Sequence, residues 1–229
     1  MKRSLVCGAL ALLVSLATGT EGVGAQSLAD FDYENLSFRG FSLEGGYLSG
    51  TRVDGTYSTG IRVDLGYLGP GLRIVPGLSY WSSTMKASEV GELETKVESL
   101  IEGELPPGSS FDPQVNLGTI DWSDINLSLD GHLVWSIPYG FLSFAGLGVS
   151  AHILDGDGEA IAGTFVEDLL DSVVAGVNVH AGLEYPVHDR FRFYGLTRYE
   201  VMEDLRYLEF RLGGQIMVAP PAPGEERAP

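Results

Sequence analysis

The chain has 229 residues, and its 31 acidic residues outnumber 14 basic ones, which gives a formal net charge of −17. This balance argues against a nucleic-acid partner, because binding to a phosphate backbone requires a basic face. The single cysteine, Cys7, leaves the rest of the chain without a disulfide framework or thiol chemistry.

Residues 1–25 have the pattern of a Sec-type signal peptide. A positive start at residues 1–3 precedes an apolar stretch at 4–18, and residues 23–25 offer a cleavage site. That stretch is too short to cross a bilayer comfortably, and no later one reaches the roughly 18 apolar residues of a transmembrane helix. The sequence therefore predicts export, with residues 26–36 as an N-terminal segment.

Apolar and polar residues then alternate in one segment after another. In the first segment Phe41, Leu43 and Tyr47 share one face, and Ser42 and Glu44 lie on the other. Strict alternation indicates β-strands, since successive side chains point to opposite faces. The candidate strands are residues 41–47, 60–67, 72–80, 125–135, 141–152, 177–185, 191–201 and 208–218.

The connections between these segments alternate in length. Short turns at residues 68–71, 137–140 and 188–190 alternate with longer links, of which residues 83–121 form the longest. Only the last link, around Met202, is short where a long one is expected. Short turns at one end and long loops at the other are typical of outer-membrane barrels. We predict an all-β fold: an eight-stranded antiparallel up-and-down transmembrane β-barrel over residues 37–218, followed by a Pro-rich tail at 219–229.

The polar face of these strands combines glycines with charges of both signs. A narrow eight-stranded barrel has room for side chains but little for water. An unpaired charge there would cost several kcal/mol, so we expect carboxylates and guanidiniums to pair. The predicted lumen network consists of Glu44, Arg62, Asp64, Arg73, Asp130, His132, Glu184, Arg198, Glu200, Glu209 and Arg211.

Aromatic residues gather near the strand ends. Amphipathic rings at both rims are typical of interfacial girdles, although ordinary cross-strand pairing would give a similar pattern. The candidate girdle residues are Tyr47, Tyr57, Tyr67, Tyr80, Trp81, Trp122, Trp135, Tyr139, Phe141, Tyr185, Phe191, Tyr199 and Tyr207.

Two long links carry amphipathic helix patterns. Apolar residues recur at helical spacing within residues 85–101 and again within residues 161–173. Both predicted helices fall on the long-loop end of the barrel. They either form a contact surface for a partner or pack over the barrel mouth.

No motif predicts catalysis, a metal or a cofactor. Residues 155–159 resemble the opening of a calcium loop, but Ala160 and Val166 occupy the positions that need glycine and glutamate. Ser128 and His132 share a strand face with Asp130, yet side chains two apart on one face are roughly 7 Å apart. We interpret this trio as a structural polar network and predict that the chain is not an enzyme.

The run Phe41–Tyr47 and the run Tyr139–Val149 resemble the outer-membrane β-barrel domain family, which includes small eight-stranded barrels of the OmpA/OmpX type. The similarity covers residues 37–218 as a pattern and not as a specific motif. It implies an integral outer-membrane location and structural or surface roles more often than enzymatic ones. Members commonly end on an aromatic residue, whereas the last strand here ends at Val218.

The resulting hypothesis is an integral outer-membrane barrel with a structural or surface-interaction role and a charge-filled lumen that is not a porin channel. The alternatives are a barrel enzyme acting on lipid A or protein, and a secreted soluble barrel that binds an apolar ligand. The expected partners are outer-membrane lipids and lipopolysaccharide, the barrel-insertion machinery during biogenesis, and an extracellular partner bound through the long loops.

Overall fold

A computed structural model describes residues 32–104, 106, 113–203 and 205–218. The predicted signal peptide and the Pro-rich tail lie outside these residues. Within them, no helix is both long enough and apolar enough to cross a membrane.

The described chain is mostly strand, with two helices in the loops. The strands are β1 (Gly40–Gly50), β2 (Thr56–Asp64), β3 (Tyr67–Gly69), β4 (Leu72–Thr84), β5 (Asp121–Ile137), β6 (Phe141–Asp157), β7 (Ser172–His188), β8 (Phe191–Met202) and β9 (Arg206–Met217). The helices are α1 (Ala87–Glu104) and α2 (Phe165–Leu170).

Antiparallel pairing closes the sheet into a barrel. Neighbouring strands pair in chain order from β4 to β9, β9 pairs with β1, and β1 pairs with β2. The pairing of β2 with β4 closes the ring, and the three-residue β3 continues β2 along the same edge of β4. The predicted eight-stranded antiparallel barrel is therefore confirmed.

The break between β2 and β3 accommodates Pro76, which cannot donate to a strand ladder. The last β2–β4 pair in this direction is Arg62 with Gly77, and the first β3–β4 pair is Tyr67 with Arg73. Pro76 lies between them, where the ladder between β4 and this edge is interrupted. A proline that is awkward for a central strand is thus tolerated at an irregularity.

The barrel has a turn end and a loop end. At the turn end, tight links join β3 to β4, β5 to β6 and β7 to β8; at the loop end lie the links that carry α1 and α2. The outer wall between the ends is apolar and exposed, as Leu127, Leu147 and Val177 illustrate. The residues that alternate with these along each strand point into the barrel, and most of them are buried.

Both predicted loop helices are present, but only the first has about the predicted extent. α1 spans Ala87–Glu104, close to the predicted 85–101. The second prediction was wrong in extent, because α2 ends at Leu170 and Val173 pairs with Ile153 in the β6–β7 ladder. Apolar residues at helical spacing continue into β7. The sequence pattern therefore does not show where the helix ends and the strand begins.

Candidate functional site

The inner face of the barrel concentrates the polar side chains, and the structure places all the predicted lumen residues there. Each is at most 6% exposed. The strands position them because alternate residues point inward. They form three neighbouring groups, centred on Arg73, on Glu44 and on Asp130.

The group nearest the turn end is centred on Arg73 of β4. Its Nη1 donates to Glu184 Oε2 at 3.0 Å, and its Nη2 donates to Glu184 Oε1. Asp64 Oδ2 lies 3.7 Å from Arg73 Nη1, and His132 Nδ1 lies 3.2 Å from Arg73 Nη2. The guanidinium is therefore matched by two carboxylates and held against an imidazole.

The second group is centred on Glu44 of β1. Tyr194 donates its hydroxyl to Glu44 Oε2 at 2.7 Å, and Arg211 donates to Oε1 at 2.5 Å. Arg62 Nη1 lies 3.6 Å from Glu44 Oε2. Arg211 also pairs with Glu209 at 2.6 Å. This group therefore links four neighbouring strands, β2, β1, β9 and β8, on the lumen side of the wall.

The third group joins β5 to β8 and extends toward the loop end. Arg198 donates through Nη1 to Asp130 at 2.9 Å and through Nε to Glu200 at 2.8 Å. Asn178 donates to the other Asp130 oxygen at 3.1 Å. One arginine thus satisfies two carboxylates that would otherwise repel each other.

Sequence reasoning missed the continuation of this group around His152. Its Nδ1 lies 2.7 Å from Asp124 Oδ2, and its Nε2 lies 3.0 Å from Ser150 Oγ. Ser150 in turn donates to Glu200 at 2.6 Å. Ser150 and His152 lie two residues apart on the same face of the fifth predicted strand. This pattern was sufficient to predict that both side chains point into the lumen. Asp124 lies one residue before the predicted start of its own strand.

Ser150, His152 and Asp124 are linked in the order of a catalytic triad, but all three are buried and the Gly176 backbone packs against the serine hydroxyl. A Cβ placed on Gly176 would lie 2.5 Å from Ser150 Oγ and 2.8 Å from His152 Nε2. Backbone therefore packs directly against the would-be nucleophile. A reacting carbonyl would need an open position about 3 Å from that oxygen, and the Gly176 backbone occupies one side of it.

The other serine–histidine pair does not form contacts of that kind. His132 contacts Arg73 and Arg62, stacks on Phe144 at a ring distance of 4.7 Å, and has no hydrogen bond to Ser128 among the described contacts. The structure therefore gives these residues the arrangement of a polar network.

The loop end of the lumen is filled by apolar side chains. Packing of the loop helices over the barrel mouth was one of the two predicted alternatives, but the strand and loop residues that join them there were not predicted. Both helices contribute buried residues to this cluster: Val90 and Val97 from α1, Val166 and Leu170 from α2. Inward-facing strand ends supply half of the remaining members, and loop residues supply the other half. We call it the loop-end cluster, and its members are Leu48, Val53, Trp81, Met85, Val90, Val97, Leu117, Ile120, Trp122, Leu154, Ile161, Val166, Leu170, Met202, Leu205 and Tyr207.

Three predicted girdle aromatics are members of this cluster, so their assignment to the rim was wrong. Trp81 and Tyr207 are each 1% exposed and meet edge to face at 6.2 Å, while Trp122 is 4% exposed. Their rings lie inside because the closed end of the lumen needs apolar packing. Other candidates, including Tyr47 and Trp135, do face outward.

Over the described residues, no group of three or more histidine, cysteine or acidic side chains could hold a metal ion. The acidic run at residues 155–159 therefore forms no such group. Its strand residues Asp155 and Asp157 point outward from the loop end of β6.

No protein-family model and no curated protein matches the chain. Among solved structures it is similar to Neisserial surface protein A, with 12% identity over 79% of this chain and 97% of that one and a TM-score of 0.53. Ail of Yersinia pestis shares 11% identity over 79% and 98% of the two chains, with a TM-score of 0.47. The N-terminal β-barrel domain of Pseudomonas aeruginosa OprF shares 8% over 80% and 98%, with a TM-score of 0.43. The chain has the fold of the small eight-stranded outer-membrane barrels.

Proposed function

We propose that the chain is an integral outer-membrane barrel with a structural or surface-interaction role, and that its lumen is sealed. The observation that carries this proposal is the reversal of polarity across the wall. Large apolar residues such as Leu127 and Leu147 are 60% and 69% exposed outside, whereas Arg73 and Glu200 are 1% and 0% exposed inside. A soluble barrel that binds an apolar ligand requires the opposite arrangement.

A sealed lumen is supported by two consecutive layers of side chains. The polar groups around Arg73, Glu44 and Asp130 cross-link the strands, and the loop-end cluster lies beyond them. Side chains that line a water-filled channel are accessible to solvent, but these are nearly all buried. The protein is therefore expected to support no porin-like diffusion.

The test combines location and conductance. In cells, the protein should stay with the outer-membrane fraction after a carbonate wash and should shift its gel migration on boiling. Refolded protein in a planar bilayer should give no steady open-channel current, while a porin in the same bilayer does. Release by carbonate without a gel shift would overturn the membrane assignment, and steady ohmic channels would overturn the sealed lumen.

We propose further that the chain is not an enzyme, because the triad-like arrangement found among the described residues is buried and packed against Gly176. The alternative, a hydrolase acting on lipid A or protein, predicts that Ser150→Ala abolishes a measurable hydrolysis of either substrate. The packed-network interpretation predicts no such hydrolysis by either the parent protein or the variant. A serine-dependent activity of the parent protein would favour the alternative.

The loop end carries exposed acidic residues far in excess of basic ones, which favours a cationic over a polyanionic partner for the loops. The exposed acidic residues at this end are Asp54, Glu92, Glu102, Glu104, Asp121, Asp155, Asp157, Glu159, Asp168, Asp171 and Glu203. Outer-membrane lipids, lipopolysaccharide and the insertion machinery remain the partners that membrane residence itself entails.

A further inference from the structure

Helix α2 buries only part of its apolar surface. Val166 and Leu170 lie four residues apart on one face and belong to the loop-end cluster. Phe165 and Leu169 form the adjoining face and are 54% and 62% exposed. The helix therefore has a protein-covered apolar face and, beside it, an apolar face that no described residue covers.

Specific contacts fix the end of α2 against the barrel wall. The amide of Gly156 in β6 donates to Asp171 Oδ1 at 3.0 Å, and Trp122 Nε1 donates to the Leu170 carbonyl at 3.4 Å. A Cβ on Gly156 would lie 2.6 Å from Leu170 Cβ, so the helix rests directly on the β6 backbone. The C-terminal end of α2 is thus held at the level of Gly156.

That level is where the outer wall changes from apolar to acidic. Along the outward column of β6, Ile153 is 52% exposed and apolar, and the next outward residue is Asp155. Ile153 pairs with Val173, which follows the end of α2 by three positions and is 76% exposed. The C-terminal end of α2 therefore lies just above the last apolar level of the wall, three residues before Val173.

We propose that α2 is an interfacial helix whose Phe165 and Leu169 insert into the lipid of the outer leaflet. The occupant that we assign is lipid because the chain runs from α2 directly into β7, whose first outward residue, Val173, belongs to the exposed apolar wall. Amphipathic helices that bind membranes lie in the interface, with the apolar face toward the acyl chains and the charged face toward water. Glu167 and Asp168 supply that charged side. The inference rests on the proposed membrane location.

The test uses spin labels on full-length protein refolded into phospholipid vesicles, with Cys7→Ser as background. Single cysteines replace Leu169, Val173 and Leu100, and power-saturation EPR compares access by oxygen, which partitions into lipid, with access by a water-soluble nickel chelate. Leu100 is the matched control, since it is also a leucine on a helix and is 61% exposed. It stands between Lys96 and Glu104 at helical spacing, so its label should contact water.

We expect the Leu169→Cys label to resemble the Val173→Cys label, with high oxygen access and nickel access several-fold below that at position 100. Nickel access at 169 equal to that at 100 would overturn the interfacial helix. Low access by both reagents at 169 would also overturn it, because a second copy or another part of the protein would then cover the face. High nickel access at Val173 would instead contradict the membrane location itself, which separates the two failures.

Discussion

Arg73 of β4 and Glu184 of β7 meet inside the barrel in a two-pronged ion pair, with Nη1 at 3.0 Å from Oε2 and a second bond from Nη2 to Oε1. Both side chains are at most 2% exposed. The pair spans the lumen between strands that are not neighbours in the sheet. It therefore ties together two parts of the barrel wall that are separated by β5 and β6.

Because the pair is buried, removing one partner should cost far more than the pair contributes. We expect Glu184→Gln to lower the free energy of unfolding by about 3–5 kcal/mol, since it leaves a buried guanidinium under-compensated. Urea titration in lipid vesicles, with the heat-sensitive gel shift as readout, measures this change. Glu203→Gln, at an exposed loop-end glutamate, should stay within about 0.5 kcal/mol.

The double variant Arg73→Met, Glu184→Met provides the internal check on this pair. The loss of unfolding free energy should be smaller than the sum of the losses for Arg73→Met alone and Glu184→Met alone. Each single variant leaves the partner's charge buried without its match, and the double variant removes both charges. Strict additivity would show that the two side chains do not act as a unit.

The outer wall gives the second prediction. Leu127, 60% exposed near the middle of β5, should tolerate arginine poorly if it faces lipid, with a loss of about 2–4 kcal/mol. Leu100→Arg on α1 is the matched control and should be close to neutral, since that leucine is 61% exposed at a loop. Equal tolerance at the two positions in vesicles would contradict the assigned lipid face.

The strands and the identity of the inward charges could be predicted from the sequence because both follow from a period of two. Once Phe41 faces outward, Ser42 and Glu44 must face inward, and the same parity places Arg73 and Glu184 inside. Which charges meet across the lumen does not follow from that period. The partner of Arg73 is set by barrel closure and shear, which bring β4 and β7 together in space.

The share of the strand ends in the apolar closure of the lumen could not be predicted, because the inward side chains change from polar to apolar along a single strand. On β1 the inward residues are Ser42, Glu44, Gly46 and then Leu48, which belongs to the loop-end cluster. On β4 the same change occurs from Ser79 to Trp81. Near the loop end, inward side chains meet α1 and α2 instead of the opposite wall. An apolar residue there resembles a rim residue in sequence.

The third prediction concerns this closure. Trp81 is 1% exposed and packs edge to face on Tyr207, so Trp81→Ala should cost about 3–5 kcal/mol through lost packing and the cavity it leaves. Trp135→Ala removes the same ring from the outer face, where it is 47% exposed, and should cost clearly less. The comparison uses the same vesicle unfolding assay. An equal or larger loss at Trp135 would mean that the loop-end cluster adds little to barrel stability.

The fourth prediction distinguishes a packed interior from one with free space around Ser150. A methyl group at Gly176 would lie 2.5 Å from Ser150 Oγ and 2.7 Å from Glu200 Oε1, closer than carbon and oxygen can approach. Gly176→Ala should therefore lower the free energy of unfolding by roughly 1–3 kcal/mol as the polar network shifts to make room.

Gly91→Ala on α1 is the matched control for that substitution. Nothing lies within 4 Å of a Cβ at that position, so the added methyl meets no neighbour and should raise helix stability by up to about 1 kcal/mol. The two glycine substitutions should therefore change stability in opposite directions. A neutral or stabilising Gly176→Ala would reveal space beside Ser150. That space would remove the steric argument against a reactive serine, and the hydrolysis assay would then decide between network and catalytic site.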